Sequence, residues 1–207
     1  MNLSMLKKAI LLISITLISF LLENLKFPKF IFFLKDIPES LTFKIENRIV
    51  VIGFVIVLFL VCGKQYKHLF NITLLKDKKS YVWIFFVLVA VVILKQASMG
   101  FPGSFGMIKM PQLHPFHLLI VLFRVAVLVP IQEELLYRGL LILVPSKRIQ
   151  YLMLIVSSIL FASIHSNPFQ MVWLGFGLGF LAIRFNNIWI PIIAHAIWNL
   201  LATFVQL

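Results

Sequence analysis

Long apolar runs, separated by short polar or basic connections, recur along the whole chain. An α-helix needs about 20 apolar residues to cross the hydrocarbon core of a bilayer, and several runs approach that length. The pattern predicts an all-α fold, a polytopic transmembrane helical bundle of about seven or eight spans with its polar residues on the C-terminal helices. The predicted spans cover residues 6–22, 49–62, 81–94, 116–144, 149–165, 169–183 and 188–205.

The run over residues 116–144 is too long for one straight span, and Pro130 is expected to divide it. Proline frees a backbone carbonyl and kinks a helix. A kink at this point would open the helix one turn before Glu133. In the run over residues 169–183, Gly175 and Gly179 have the Gly-xxx-Gly spacing that allows helices to approach closely.

Composition places the chain in a membrane. Of its 207 residues 61% are hydrophobic and only 13% are charged, which is far outside the soluble range. The net charge of +12 lies mostly in the connections, as expected for loops that face anionic lipid, so we expect no nucleic-acid partner. The basic N-terminus and first apolar run lack a small-residue cleavage site, which favours an uncleaved first helix.

Two adjacent carboxylates lie inside the run over residues 116–144. Beyond Asp77 the only acidic residues are Glu133 and Glu134, although a carboxylate at membrane depth costs about 2.5–3.5 kcal/mol. Glu134 and Arg138 stand at i and i+4 and can pair, whereas Glu133 is turned about 100° away and is expected to be the freer. A purely structural ion pair would therefore explain Glu134 but leave Glu133 without a partner.

Two intramembrane histidines accompany the carboxylates, and Asn199 shares a helix face with the second of them. Counted from the turn at residue 145, Glu133 lies roughly 18 Å deep, His165 roughly 24 Å and His195 roughly 10 Å, so the three can meet near mid-membrane. Such a set can activate a water molecule and hold an oxyanion, or it can bind a metal through Glu and two His. His114 and His117 lie beside a proline with no third ligand nearby, so we expect no metal there.

Three short motifs occur in order on successive predicted helices. They are Glu133-Glu134-x-x-x-Arg138, Phe161-x-x-x-His165 and His195-x-x-x-Asn199. In this order they resemble the CPBP intramembrane proteases, the family of the CAAX prenyl endopeptidases and of bacteriocin-processing or self-immunity proteins, also called the Abi family. The resemblance covers roughly residues 114–207, which we expect to form the protease core, with further transmembrane helices and loops in residues 1–113.

The resemblance implies a role for each motif residue. Glu133 would be the general base on the attacking water, assisted by His165, and His195 with Asn199 would form the oxyanion hole. Glu134 and Arg138 would be the supporting pair, and Phe161 would line the cavity. Both a metal-dependent and a metal-free, glutamate-driven mechanism are proposed for the family. We expect no cofactor, because Asn199 suits an oxyanion partner better than a zinc ligand; if zinc is used, Glu133, His165 and His195 are its ligands.

The function expected from these residues is an intramembrane endopeptidase acting on a peptide or membrane-associated protein. The retention of every motif residue favours an enzyme over a bacteriocin self-immunity or scaffold protein without proteolysis. Intramembrane Glu and His also build proton relays in transporters, but the two halves show no inverted repeat. Small size and short loops are typical of a bacterial protein, so we expect a multi-pass protein of the bacterial cell membrane whose substrate is a pheromone, a leader peptide or a membrane-protein tail.

Overall fold

A computed structural model describes residues 3–25, 27, 29–61, 64–99, 106–108, 111–143 and 146–205. The all-α prediction is confirmed: these residues form helices and turns, and their only bridge of the β type joins Ile108 to Val205. The long helices are α1 (Leu3–Asn24), α2 (Ile45–Val61), α3 (Lys78–Met99), α4 (Pro115–Leu143), α5 (Gln150–Ser163), α6 (Pro168–Phe185) and α7 (Trp189–Phe204).

The connections contain short helical turns. These turns are Phe32–Leu34, Glu39–Thr42, Lys64–Phe70, Ile72–Lys76 and Lys147–Ile149. The sequence predicts that α3 ends near residue 94, but the helix continues to Met99. In the segment that follows, residues 100–105 and 109–110 lie outside the described residues.

Apolar helices identify a membrane protein. Three helices in the described part of the chain are long and apolar enough to span a bilayer: Lys78–Ser98, Pro115–Leu143 and Pro168–Phe185. Shorter apolar helices cover Ser14–Asn24 and Trp189–Phe204, and the total of seven or eight spans stays a prediction. Large apolar side chains on α3 and α5 point away from the protein and are more than half exposed, as on a surface that contacts lipid. They include Phe85, Phe86, Leu152 and Ile159.

Helix α4 is not divided at Pro130, contrary to the sequence-based expectation. The helix is continuous, but it changes to the wider π-helical form over Arg124–Leu128 and Leu135–Leu143, on either side of an α-helical segment Val129–Glu134. In a π-helix each N–H bonds the carbonyl five residues earlier, as the N–H of Val129 does to Arg124. The next carbonyl, that of Val125, would need an N–H from Pro130, which has none.

A side chain from the last helix satisfies that carbonyl. The Nδ2 atom of Asn199 in α7 donates a hydrogen bond to the Val125 carbonyl oxygen at 2.8 Å. A buried backbone carbonyl without a partner costs free energy, so this bond allows α4 to pass through Pro130 without breaking. The proline is therefore accommodated by a change of helical register and by a cap from another helix.

Helix α4 lies between two apolar clusters. The first cluster joins α1, α2 and α4 to parts of α6 and α7 and includes Val51, Val55 and Leu140, all buried. The second cluster joins α3, α5, α6 and α7 through Leu178 and other buried residues. Tyr137 of α4 packs against both clusters, so the motif segment of α4 lies where the two halves of the protein meet.

Helices α5 and α6 approach closely at a glycine, as the Gly-xxx-Gly spacing predicts. A Cβ atom at Gly175 would lie 3.0 Å from the Cα of Ser158 and 3.2 Å from its carbonyl oxygen. These are backbone atoms that a side chain rotation cannot move aside. The contact matters for the site, because α6 carries the Gly175 carbonyl towards α4.

We expect the substitution Gly175→Ala to lower the stability of the protein, because the added methyl group forces α5 and α6 apart. Overpacking of this kind costs about 1–3 kcal/mol. The matched control is Gly53→Ala in α2, where an added Cβ would meet nothing within 4 Å. Thermal unfolding of both variants in detergent measures the effect, and equal melting temperatures would contradict the close approach.

Candidate active site

A fully buried ion pair occupies the centre of the site. Arg138 Nη1 donates to Glu134 Oε1 at 3.0 Å, and both side chains are 0% exposed. Arg138 Nη2 also donates to the carbonyl oxygen of Gly175 at 3.2 Å, and the guanidinium lies 4.5 Å from the ring centre of Phe161. The i, i+4 spacing therefore produces the expected pair, and contacts from α5 and α6 hold it in place.

His195 adds a third member to this pair, which the sequence did not indicate. Its Nδ1 atom lies 2.8 Å from Glu134 Oε1. Because a carboxylate that is paired with Arg138 is ionised and can only accept, Nδ1 is the nitrogen that carries a proton. The other nitrogen, Nε2, faces Glu133 and lies 4.0 Å from its Oε2 atom.

Glu133 is not the partnerless carboxylate that the sequence predicts. Arg48 Nη1, from α2, lies 3.4 Å from Glu133 Oε1 and donates to Gln132 Oε1 at 2.6 Å. Arg48 Nη2 lies 3.8 Å from Glu23 Oε1 at the end of α1. The second oxygen of Glu133, Oε2, is buried and has no hydrogen-bond partner.

A cavity of about 260 Å³ opens beside Glu133. Its lining comes from the end of α1, the start of α2, the middle of α4 and the end of α5. The lining residues are Phe20, Glu23, Asn24, Phe43, Lys44, Arg48, Glu133, Tyr137, Ile164 and His165. The exposed fraction of the side chain falls from 17% for Glu23 to 12% for Arg48 and 7% for Glu133. Glu133 is thus the innermost acidic group of a polar cavity that reaches the surface.

His165 shares the cavity with Glu133 but does not lie within a helix. The sequence predicts a span through residue 165, whereas α5 ends at Ser163 and His165 follows its C-terminus. Its Nδ1 atom lies 2.7 Å from the carbonyl oxygen of Phe161. A carbonyl only accepts, so Nδ1 is the donor and Nε2 is left with a lone pair in the neutral ring.

Phe161 and Asn199 lie away from the cavity wall. Phe161 is fully buried, with its ring centre 4.6 Å from that of His165 and 5.7 Å from that of His195. It separates the two histidines behind the wall instead of lining the cavity as expected. The observed bond of Asn199 is the one to Val125, and its role in an oxyanion hole stays a prediction.

The zinc ligands considered from the sequence are Glu133, His165 and His195, and whether the protein uses a metal stays a prediction. Among the residues that the structure describes, no three His, Cys, Asp or Glu side chains come together in a group that could hold a metal. Nε2 of His195 lies 4.0 Å from Oε2 of Glu133, and Nδ1 of His165 is bonded to a backbone carbonyl, which leaves Nε2 of His165 available. We therefore derive no chemical step through zinc.

Comparison with known protein families finds a match over the segment that carries the three motifs. Residues 115–201 match a family model described as Rce1-like, type II CAAX prenyl endopeptidase. This part of the chain, called the Rce1-like segment below, is similar to that family. The match confirms the resemblance predicted from the three motifs, and it supports a CAAX-type intramembrane protease activity in general. No curated protein and no solved structure matches the chain.

Two residues of the site lie outside the Rce1-like segment and were missed in the sequence. Glu23 and Arg48 both flank apolar runs, where charged residues are common, so neither position stands out. Arg48 is 85 residues away from Glu133 in the chain, and no local spacing relates the two. The division into residues 1–113 and 114–207 stays a prediction, and the Arg48 contact crosses it.

We expect Arg138→Ala to destabilise the protein more than Glu133→Gln does. Removing the guanidinium leaves the Glu134 carboxylate buried without its cation, and breaking a buried pair from one side costs about 3–5 kcal/mol. Glu133→Gln keeps the shape of the side chain and lies at the edge of the cavity, so it should change the stability less. The melting temperatures of the two purified variants decide the point, and equal values would contradict the pairing.

A second prediction concerns Asn199 and Pro130. Asn199→Leu should destabilise the protein by about 1–3 kcal/mol, because the Val125 carbonyl loses its only observed donor. Pro130→Ala restores an N–H five residues after Val125, so the same Asn199→Leu change should cost less in that background. Thermal unfolding of the wild type, both single variants and the double variant measures this coupling. Strictly additive effects would show that Asn199 does not compensate for the proline.

Proposed function

We propose that this protein is an intramembrane endopeptidase that hydrolyses a peptide bond with a water molecule activated by Glu133 and His165. The observation that carries the proposal is the shared cavity. It brings a buried carboxylate with an unpartnered oxygen and a histidine with an available nitrogen to one polar space that reaches the surface. The Rce1-like match over the same segment supports the protease class.

In the proposed reaction Glu133 is the general base. Its free oxygen, Oε2, takes a proton from water while Nε2 of His165 helps to hold and polarise that water. The resulting hydroxide attacks the carbonyl carbon of the substrate and forms a tetrahedral intermediate. The C–N bond then breaks, and the proton held by Glu133 passes to the leaving amine.

The negative charge of the intermediate needs a donor at membrane depth, and His195 is our first candidate. Glu134 accepts a hydrogen bond from Nδ1 and thereby orients the ring, and the proposed role requires that Nε2 also carries a proton. Nε2 lies on the Glu133 side of the ring, so it can donate to an oxyanion formed there. The amide of Asn199 has a second hydrogen beyond the one bound to Val125, and that hydrogen is the one an oxyanion role requires.

The proposed substrate is a peptide or a membrane-associated protein whose scissile bond reaches the cavity. Apolar residues on the wall, such as Phe20, Phe43 and Ile164, give such a peptide apolar contacts beside the polar groups. The matched family description names a prenyl endopeptidase, so prenylated peptides belong in the substrate set that is tested. A peptide pheromone, leader peptide or membrane-protein tail of the bacterial cell membrane completes the set.

We expect Glu133→Gln and His165→Ala each to abolish cleavage while leaving the protein folded. The proposed chemistry needs the carboxylate as a base and the imidazole as its partner. Removal of a general acid–base group lowers the rate by about 10²–10⁴-fold. The assay uses purified protein in liposomes with fluorogenic peptides, prenylated and unmodified. The matched control is His117→Ala, which removes a histidine of α4 far along the helix from Glu133.

Cleavage at the wild-type rate by either site variant would refute the assignment, as would loss of cleavage in His117→Ala. The same assay after exhaustive chelation tests the metal question, with metal content measured by elemental analysis. We expect activity to persist. Stoichiometric zinc, with activity lost on chelation and restored by zinc, would make His195 a ligand instead of an oxyanion donor.

A further inference from the structure

Arg48 reaches the centre of the site from the part of the chain that lies outside the Rce1-like segment. Its Nη1 atom is within 2.6 Å of Gln132 Oε1 and 3.4 Å of Glu133 Oε1, which are adjacent residues of the first motif. Its side chain is only 12% exposed, so this is a largely desolvated contact and not a mobile surface pair. Charge-assisted contacts in such surroundings have a strong geometric effect.

The two carboxylate oxygens of Glu133 have different neighbours. Oε1 faces Arg48, whereas Oε2 is buried, has no hydrogen-bond partner and lies 4.0 Å from Nε2 of His195. A carboxylate with both oxygens free could rotate about its last torsion and present either one. With Oε1 held, Oε2 is the oxygen left without a hydrogen bond, on the side of His195.

We propose that Arg48 is a positioning residue that fixes the Glu133 carboxylate so that Oε2 faces the reaction centre. This inference rests on the proposed function, in which Glu133 is the base. Arg48 touches Glu133 and not the substrate, so it acts on the rate of the chemical step. The N-terminal helices thereby supply a part of the active site that the matched family segment does not contain.

Helix α2 is a rigid support for this role. Val51 and Val55 follow Arg48 at i+3 and i+7, share its helix face and are both 0% exposed in the apolar core. At the outer end of the guanidinium, Glu23 Oε1 lies 3.8 Å from Nη2. The guanidinium is thus held between α1 and α4, and the core fixes the backbone of Arg48. Accurate placement of a catalytic group requires rigid support of this kind.

A competing role for Arg48 is to bind an anionic group of the substrate at the cavity wall. The two roles affect different kinetic constants. Loss of a positioning residue lowers kcat and leaves KM nearly unchanged, whereas loss of a substrate contact raises KM. Arg124 provides a matched control, since it is another arginine on this side of the protein but donates to the carbonyl oxygen of Ser40 at 3.3 Å, away from Glu133.

The experiment measures kcat and KM of the full-length protein in liposomes, with the best peptide substrate found for the wild type. Arg48→Met keeps an unbranched side chain but removes the donors, and Arg48→Lys restores a single cationic donor. We expect Arg48→Met to lower kcat by about 10–100-fold, because small misplacement of a catalytic group has effects of this size. KM should stay within about twofold, and Arg48→Lys should recover part of kcat because the contact uses one nitrogen.

The control Arg124→Met should keep the wild-type kcat. If Arg48→Met does not fold, as judged by thermal unfolding, Arg48→Gln takes its place with the same expectation. An Arg48 variant with the wild-type kcat overturns the inference, and so does a raised KM at unchanged kcat. If Glu133→Gln is inactive while the wild type cleaves, either of these two results overturns only the positioning role of Arg48. If Glu133→Gln still cleaves, the proposed function itself is refuted.

Discussion

The burial of Glu134 with Arg138 and His195 is the constraint on which the rest of the site depends. Two full charges inside an apolar helical protein need close partners, and here Oε1 of Glu134 and both Nη atoms of Arg138 have them, whereas Oε2 of Glu134 and Nε of Arg138 do not. Arg138 therefore requires the carbonyl of Gly175, and Gly175 requires the close packing of α5 and α6. Glu134 in turn orients His195, whose other nitrogen then faces Glu133. A buried ion pair thus orients the histidine that faces Glu133.

The site is assembled from both halves of the chain. The Rce1-like segment provides Glu133, His165 and His195, but the open side of the cavity is formed by α1 and α2 with Glu23 and Arg48. The Rce1-like segment alone would leave this side of the cavity without a wall and Glu133 without its cation. The cavity belongs to the assembled protein, and the N-terminal helices are part of it.

Local spacing explains what the sequence could predict. Apolar runs predicted the helices, and the i, i+4 spacing predicted the contact of Glu134 with Arg138. It could not predict the partner of Glu133, because Arg48 is brought there by packing of distant helices. The sequence also could not predict the π-helical form of α4, since an apolar run does not distinguish a π-helix from an α-helix. The end of α5 before His165 lies within the usual error of helix boundaries.

The hydrogen bond between Asn199 and Val125 has a consequence for how the protein is made. Its two residues are 74 positions apart, so α4 enters the membrane long before its partner has been synthesised. Until α7 arrives, the carbonyl freed by Pro130 has no donor in surrounding hydrocarbon, where an unsatisfied backbone group costs several kcal/mol. The nascent helix must therefore keep that carbonyl near water or another chain during insertion. That carbonyl gains the donor seen in the structure only when the last helix docks against α4.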